Sequence, residues 1–261
     1  MKKATLTLVV LFSFTCTGVW AETVTVFQDG FEGVTPAESI YPTASGDADP
    51  DPSKWVTSEP YFSNYMVIST VSTLSNGNSI PGYYVHSGTQ SLRVYSNTQG
   101  QAVKSVAFDT LAQGSFEFYF YTGFTGARSL NFGLWDGAAL ATNMTLNAAA
   151  AQTVCYYDST NTANAIATWN TGSWNHLIIT ADVATQTFTV TLNDTLYDNG
   201  GDGYAFYNEG ITGLTNISFS HSYSSQQTLI DDVSVSGTLV PEPLTAGLLC
   251  LSGVMLLRRR K

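Results

Sequence analysis

The chain has 261 residues and a formal net charge of −10 at pH 7, with 20 acidic side chains against 10 lysines and arginines. Between residues 22 and 240 it holds 19 acids and only four cations, Lys54, Arg93, Lys104 and Arg128, so this span has a formal charge of −15. A surface of this sign repels phosphate backbones, which argues against nucleic acid as a partner and leaves divalent cations and neutral polymers open.

The first 21 residues have the layout of a secretory signal peptide. Lys2 and Lys3 precede an apolar stretch from Leu6 to Phe14, and small residues precede a cleavage point after Ala21. A buried N-terminal helix does not account for this order of features. We therefore expect export. In the body, Cys155 stands alone between β-branched and aromatic residues, so we expect no intrachain disulfide there and a buried thiol.

The segment 32–55, EGVTPAESIYPTASGDADPDPSKW, is rich in proline and acid and shows no strand period. Its DADPDP run has carboxylates at alternate positions, which can converge on calcium. The Gly and the distal Glu of an EF-hand loop are missing, however. We interpret the segment as a long solvated surface loop.

Alternation of apolar and polar residues recurs through the body. Residues 116–121 place three phenylalanines on one face of a strand and Glu117, Tyr119 and Tyr121 on the other, and TQTFTVTLND and NISFSHS show the same period. A period of two indicates half-buried strands. About ten short strands separated by turn residues, with no long amphipathic helix, predict an all-β fold. We expect one antiparallel β-sandwich of jelly-roll type over residues 22–239, between the signal peptide and a C-terminal apolar helix.

Near the end of the body, LIDDVSVSG carries two adjacent aspartates. A period of two places one of Asp231 and Asp232 on the same face as aliphatic side chains. A carboxylate in that position needs hydrogen bonds or a cation to offset its desolvation. Backbone amides at a strand end and a bound cation both meet this need, and the spacing does not choose between them.

Four segments of the body diffusely resemble the concanavalin A-like and laminin-G-like jelly rolls and the jelly-roll carbohydrate-binding modules: DGFEG, HSGTQSLRVYS, SWNHLIITADVATQTFTVTLND and LIDDVSVSG. The resemblance implies a β-sandwich and is compatible with many functions. In those modules a Phe-Glu near the first strand and the closing Asp-Asp pair contribute to a structural calcium site. Glu32 with Asp231 or Asp232 matches these positions, so the resemblance implies structural calcium as a cofactor.

Aromatic and acidic side chains on the polar faces of strands are candidates for glycan binding. Sugar rings present flat C–H faces that stack on aromatic rings, while acids hydrogen-bond the hydroxyls. Glu117, Tyr119 and Tyr121 share one face, and Trp135 lies on the polar face of its own strand. We interpret these four as part of a sugar-binding surface, with packing on the sheet as the alternative. Four tyrosines in Gly-rich loops are further candidates: Tyr83, Tyr84, Tyr204 and Tyr207.

The sequence contains no recognisable catalytic motif. Retaining glycosidases need two carboxylates about 5–5.5 Å apart. The related laminarinases present them on one strand as Glu-x-Asp-x-x-Glu, whereas Glu117 stands alone. His86, His176 and His221 have no adjacent partner in sequence, and we interpret them as surface or core histidines. We predict a non-catalytic protein, with a divergent polysaccharide-degrading enzyme (glycoside hydrolase or lyase) as the alternative.

The C-terminus, VPEPLTAGLLCLSGVMLLRRRK, closely resembles the PEP-CTERM sorting signal, in which Pro-Glu-Pro precedes a short apolar segment and a cationic end. The apolar run of 14 residues is short for a bilayer-spanning helix, which needs about 20. The matching residues are Pro241, Glu242 and Pro243, then Leu244–Leu257, then Arg258, Arg259, Arg260 and Lys261. The resemblance implies recognition and cleavage by an exosortase-type membrane protease. A permanent tail anchor is the alternative.

Together these features predict an exported, non-catalytic protein at the cell surface or in an extracellular matrix. Its expected role is structural or glycan-binding within an exopolysaccharide layer. The membrane is expected to hold it only through the C-terminal segment, before processing.

Overall fold

The computed structural model describes residues 22–34, 51–57, 65–69, 84–96, 102–122, 129–147, 152–221 and 226–240. The predicted signal peptide, the sorting motif from Pro241 to the cationic end, Tyr83, and most of the Pro-rich loop lie outside these ranges. Within them, no helix has the length and apolar character needed to cross a membrane.

The described residues form seventeen strands and one short 3₁₀ turn at Asn199–Gly201. In chain order the strands are β1 Thr23–Asp29, β2 Trp55–Thr57, β3 Tyr65–Ser69, β4 Gln90–Ser96, β5 Ala102–Ser105, β6 Leu111–Tyr121, β7 Ser129–Asp136, β8 Ala139–Leu140, β9 Met144–Asn147, β10 Thr153–Tyr157, β11 Ala163–Thr168, β12 Trp174–Asp182, β13 Thr187–Leu192, β14 Thr195–Tyr197, β15 Tyr204–Ala205, β16 Asn216–His221 and β17 Gln226–Leu239.

These strands make two antiparallel sheets that pack as a sandwich. The nine-stranded sheet has the order β14-β13-β12-β6-β17-β4-β3, with β1 also paired to β17 and β15 to β13. The eight-stranded sheet has the order β11-β10-β9-β7-β16-β5-β2, with β8 paired to β7. The all-β antiparallel sandwich predicted from the two-residue period is confirmed.

The core lies between the inner faces of the two sheets. Phe116, Phe118 and Phe120 on β6 are fully buried, as their alternation predicts. Phe118 packs edge-on against Phe132 of β7 and Phe219 of β16, with ring centroids 5.2 and 5.1 Å away. Burying each such side chain contributes about 1.5–3 kcal/mol, so this cross-sheet cluster fixes which face of β6 points outward. Cys155 on β10 is also buried, and it is a free thiol.

Strand β17 changes its neighbour halfway along its length. One side pairs with β6 throughout, while the other side pairs first with β4, up to Ile230, and then with β1, from Val233. The register with β6 shifts between Asp231 and Ser234, and Asp232 adopts a left-handed backbone with φ of 48°. Such a bulge turns side chains away from regular alternation. Here it places two adjacent aspartates where β4 and β1 meet.

Candidate functional site

Three carboxylates, which we call the carboxylate clasp (Glu32, Asp231 and Asp232), hold the loop that leads into β4. Glu32 follows β1 and accepts hydrogen bonds from the backbone N–H of Thr89 at 2.6 Å and of Gln90 at 2.8 Å. It also accepts one from the Thr89 hydroxyl at 2.7 Å. Burial opposes ionisation of Glu32, but these hydrogen bonds outweigh it and lower its pKa. Glu32 therefore ties the end of β1 to the start of β4.

Asp231 is the buried member of the clasp, with no exposed surface. Its Oδ2 accepts from the backbone N–H of His86 at 3.0 Å and of Ser87 at 3.2 Å, and its Oδ1 from that of Asp232 at 2.8 Å. Burial raises the pKa of Asp231 to about 7, and these hydrogen bonds offset only part of the effect. The expectation that one aspartate needs compensation is met by Asp231, and backbone amides supply it.

Asp232 faces the same loop through side-chain contacts. Its Oδ1 accepts from the Ser87 hydroxyl at 2.7 Å, and its Oδ2 lies 2.7 Å from Nδ1 of His86. An ionised carboxylate has no proton to donate, so Nδ1 of His86 donates. When the ring is neutral, its lone pair is therefore on Nε2.

The predicted calcium ligands meet in space, but the chain itself supplies their partners. Each oxygen of Glu32, Asp231 and Asp232 accepts a hydrogen bond from a backbone amide, a hydroxyl or an imidazole. In the described part of the chain, no group of three or more His, Cys, Asp or Glu is arranged to hold a metal ion. The donor set fits the loop better than a cation, and calcium binding stays a prediction.

Two histidines from distant parts of the chain enclose one tyrosine above this clasp. Tyr119 on β6 is in register with His176 on β12 and with Asp231 on β17. Its ring stacks on His176, with centroids 4.3 Å apart and planes 6° apart. The other face of Tyr119 stacks on His86, at 3.6 Å and 18°. Nε2 of His176 lies 2.7 Å from Oε1 of Glu117, so each imidazole has its own carboxylate.

Further aromatic side chains continue this cluster along the outer face of the nine-stranded sheet. Trp174 is in register with Tyr121, at 5.7 Å between ring centroids, and meets His86 edge-on at 5.5 Å. Tyr84 packs on Tyr121 at 5.9 Å. We define the aromatic–histidine face as Tyr84, His86, Glu117, Tyr119, Tyr121, Trp174, His176 and Asp232.

The polar groups of this face are accessible to solvent. The side chains of Glu117 and Asp232 are 40% and 32% exposed, and those of His86 and His176 are 28% and 21% exposed. The face therefore presents two accessible histidine–carboxylate pairs beside aromatic rings, which suits hydrogen bonding to a polyhydroxyl ligand.

The hairpin turn between β13 and β14 adds a third acid. Asn193 and Asp194 both have positive φ, 47° and 64°, as a two-residue type I′ turn requires. The Asn193 side chain accepts from the backbone N–H of His176 at 2.9 Å, which fixes the turn beside that histidine. Burial raises the pKa of Tyr119, and the negative charges of Glu117, Asp232 and Asp194 raise it further.

The four predicted sugar-binding residues do not form one surface. Glu117, Tyr119 and Tyr121 share a face as predicted, but Tyr121 is only 7% exposed and both ring faces of Tyr119 are covered. Trp135 lies on the other sheet, where its Nε1 donates to Ser218 at 2.7 Å and Lys104 Nζ lies 4.4 Å from its ring centroid. Strands β6 and β7 are consecutive in sequence but belong to different sheets, which separates Trp135 from the rest.

Sequence reasoning missed His86, Trp174 and His176 as members of this site. Trp174 and His176 alternate with buried residues on β12, so a period-two pattern was available to identify them. His86 lies before β4 and has no periodic signal. Among the other predicted candidates, Tyr204 packs against Tyr156 and Phe188 at 4.9 and 5.6 Å, away from this cluster.

No protein-family model matches the sequence, and no curated protein is similar to it in sequence. Among solved structures, a sialidase matches 71% of this chain at 12% identity and a TM-score of 0.47, and this chain spans only 19% of that protein. An uncharacterised protein from Mycobacterium paratuberculosis matches 80% of this chain and 99% of its own, at 15% identity and a TM-score of 0.48. A carbohydrate esterase from the Shiga toxin-encoding bacteriophage phi24B matches 70% of this chain and 90% of its own, at 12% identity and a TM-score of 0.44. Likeness at this level carries no argument about activity.

Proposed function

We propose that this protein is an exported, non-catalytic β-sandwich that binds a glycan through the aromatic–histidine face. The observation that carries the proposal is the juxtaposition, on one outer sheet face, of partly exposed aromatic rings with two solvent-accessible histidine–carboxylate pairs. Imidazole and carboxylate edges hydrogen-bond sugar hydroxyls in either direction. Trp174, which is half-buried at the start of β12, supplies the large ring on which a sugar stacks.

The two termini support an extracellular role. The signal peptide directs export, and the Pro241–Pro243 motif with its cationic end directs recognition by an exosortase-type membrane protease. The processed protein then resides at the cell surface or in an extracellular polysaccharide layer. Mass spectrometry of the mature C-terminus tests this part: a mature chain that retains Arg258–Lys261 contradicts it.

Two tryptophan variants test the binding proposal on opposite sheets. Trp174→Ala is expected to weaken binding to any glycan found on an array by about tenfold or more, because it removes the stacking ring. Trp135→Ala, on the other sheet, is the matched control and is expected to leave the affinity unchanged. Thermal melting of both variants separates loss of binding from loss of fold. Unaltered affinity in a folded Trp174→Ala protein overturns the proposal.

A second candidate function, cleavage of the same polysaccharide, is favoured by one observation. The Asp232–His86 pair leaves Nε2 of His86 as the basic nitrogen of a partly exposed imidazole, which is the arrangement of a general base. Reducing-sugar release, together with absorbance of unsaturated ends, tests hydrolysis and elimination in one experiment. Binding without release of either product rules out this candidate for the polymers tested.

A further inference from the structure

The charges around the aromatic–histidine face are one-sided. Glu117 and Asp232 lie within it, and Asp194 lies on the turn beside His176. The negative charges of all three raise the pKa of Tyr119, so their fields converge on the centre of the face. The face therefore carries a negative potential whenever its imidazoles are neutral.

Lysine and arginine do not balance these acids. Lys54 is bound to Asp29 at 3.2 Å, beside Trp55, and Lys104 lies over Trp135 on the other sheet. Arg93 is 1% exposed, which leaves its guanidinium out of reach of a bulky ligand. Arg128 lies outside the described residues. In the described ranges, no solvent-exposed lysine or arginine is thus available to this face.

A negative face lined with aromatic rings suits a cationic ligand. Ammonium groups are attracted both to carboxylates and to the faces of tyrosine and tryptophan, and desolvation strengthens the second interaction. A polyuronate or sulfated polymer brings further negative charge against Glu117, Asp194 and Asp232 with no compensating cation. The aromatic rings and the acids therefore both favour the same kind of sugar.

We propose that the glycan bound here is an amino-sugar polymer whose amino groups are free and positively charged, such as a de-N-acetylated glucosamine chain. This inference rests on the proposed glycan-binding function and adds the substrate class to it. Glu117, Asp194 and Asp232 hold the ammonium groups, while Trp174 stacks on the sugar ring.

Calorimetry with hexasaccharides that differ in charge tests this inference. The probes are hexamers of N,N,N-trimethylglucosamine, N-acetylglucosamine and galacturonate at about pH 8, above the usual imidazole pKa of about 6.5. A glucosamine hexamer at about pH 7 is measured beside them, so that the bulk of the methyl groups does not decide the result. We expect the amino-sugar hexamers to bind about tenfold or more tightly than the N-acetylated one, the galacturonate hexamer not to bind, and the preference to shrink with added salt.

Neutral variants locate the charges that create the preference. Asp194→Asn keeps a residue type that tolerates the left-handed turn, and Glu117→Gln keeps the shape of its side chain. Each is expected to reduce the preference several-fold. Asp109→Asn is the control, because this exposed acid lies just before Leu111, at the opposite end of β6 from Tyr119.

The possible outcomes separate this inference from the function on which it rests. Equal binding of charged and N-acetylated hexamers, or tighter binding of galacturonate, overturns the charge preference and leaves glycan binding intact. A hexalysine peptide that binds as tightly as the amino-sugar hexamers also overturns the inference, since charge alone then suffices. Binding of no hexasaccharide overturns both.

Discussion

His86 stacks on Tyr119 with ring centroids 3.6 Å apart and planes 18° apart, although one residue precedes β4 and the other lies near the end of β6. The contact exists because the carboxylate clasp holds the backbone of His86 and Ser87 over the sheet. The aromatic–histidine face thus depends on hydrogen bonds made at the junction of β1, β4 and β17.

The buried Asp231 predicts how stability depends on pH. Its pKa of about 7 in the folded protein lies above the ordinary value, so between about pH 4 and 7 the folded state binds more protons than the unfolded chain. The free energy of unfolding should therefore fall by a few kcal/mol as the pH rises through this window. Urea unfolding at several pH values measures the slope.

The matched variant for that experiment is Asp231→Asn. It places an NH₂ group among N–H donors and so lowers stability at every pH, but it has no proton to release. His86 and His176 titrate in both proteins, so the difference between the two slopes belongs to position 231. Equal slopes contradict the assignment of the raised pKa to this carboxylate.

A pair of glycines tests the clasp itself. Gly88 has φ of +63°, and a Cβ added there collides with Oε1 of Glu32. Gly137 has φ of +53°, and a Cβ added there has no atom within 4 Å. Gly137→Ala should therefore cost about 1 kcal/mol from backbone strain alone. Gly88→Ala should cost clearly more, because Glu32 must also move away from Thr89 and Gln90. Similar losses for the two variants in chemical denaturation argue against a tight clasp.

The ring of Tyr119, more than its hydroxyl, should matter for stability. Tyr119→Phe keeps the ring between the two imidazoles, whereas Tyr119→Ala removes it and should cost about 2–3 kcal/mol more. Burial and the neighbouring acids also raise the pKa of this phenol. Ultraviolet titration should therefore lose a late-ionising tyrosine in the Phe variant, and loss of an ordinary one contradicts the stacked geometry.

The structural calcium predicted for Glu32, Asp231 and Asp232 has a direct test in thermal melting. A calcium ion held by these side chains should raise the melting temperature when calcium is added, and chelation should reverse the rise. Asp232→Asn should abolish the response. A melting temperature that does not change with calcium or chelator refutes the site, and the hydrogen bonds to residues 86–90 then account for the three acids.

Much of the fold was predictable because it depends on local pattern. The two-residue period identified β6, β13 and β16 and the burial of their aromatic and aliphatic residues, since alternation along a strand follows from backbone geometry alone. The adjacent aspartates were also informative, because one of any two successive strand residues faces inward. Which one was buried, and what compensated it, depended on the bulge and on a loop far away in sequence.

The sequence by itself determined that this chain is an acidic, strand-rich protein with an export signal and a sorting-type tail, because composition and periodicity are properties of neighbouring residues. Only the tertiary structure decided that His86 and His176 meet on Tyr119 and that Trp135 belongs to the other sheet. The physical reason is that strand order and register bring together residues whose separation along the chain contains no trace of the contact. In the site, β12, β6 and β17 supply the row His176, Tyr119 and Asp231, and the clasp brings His86 onto it.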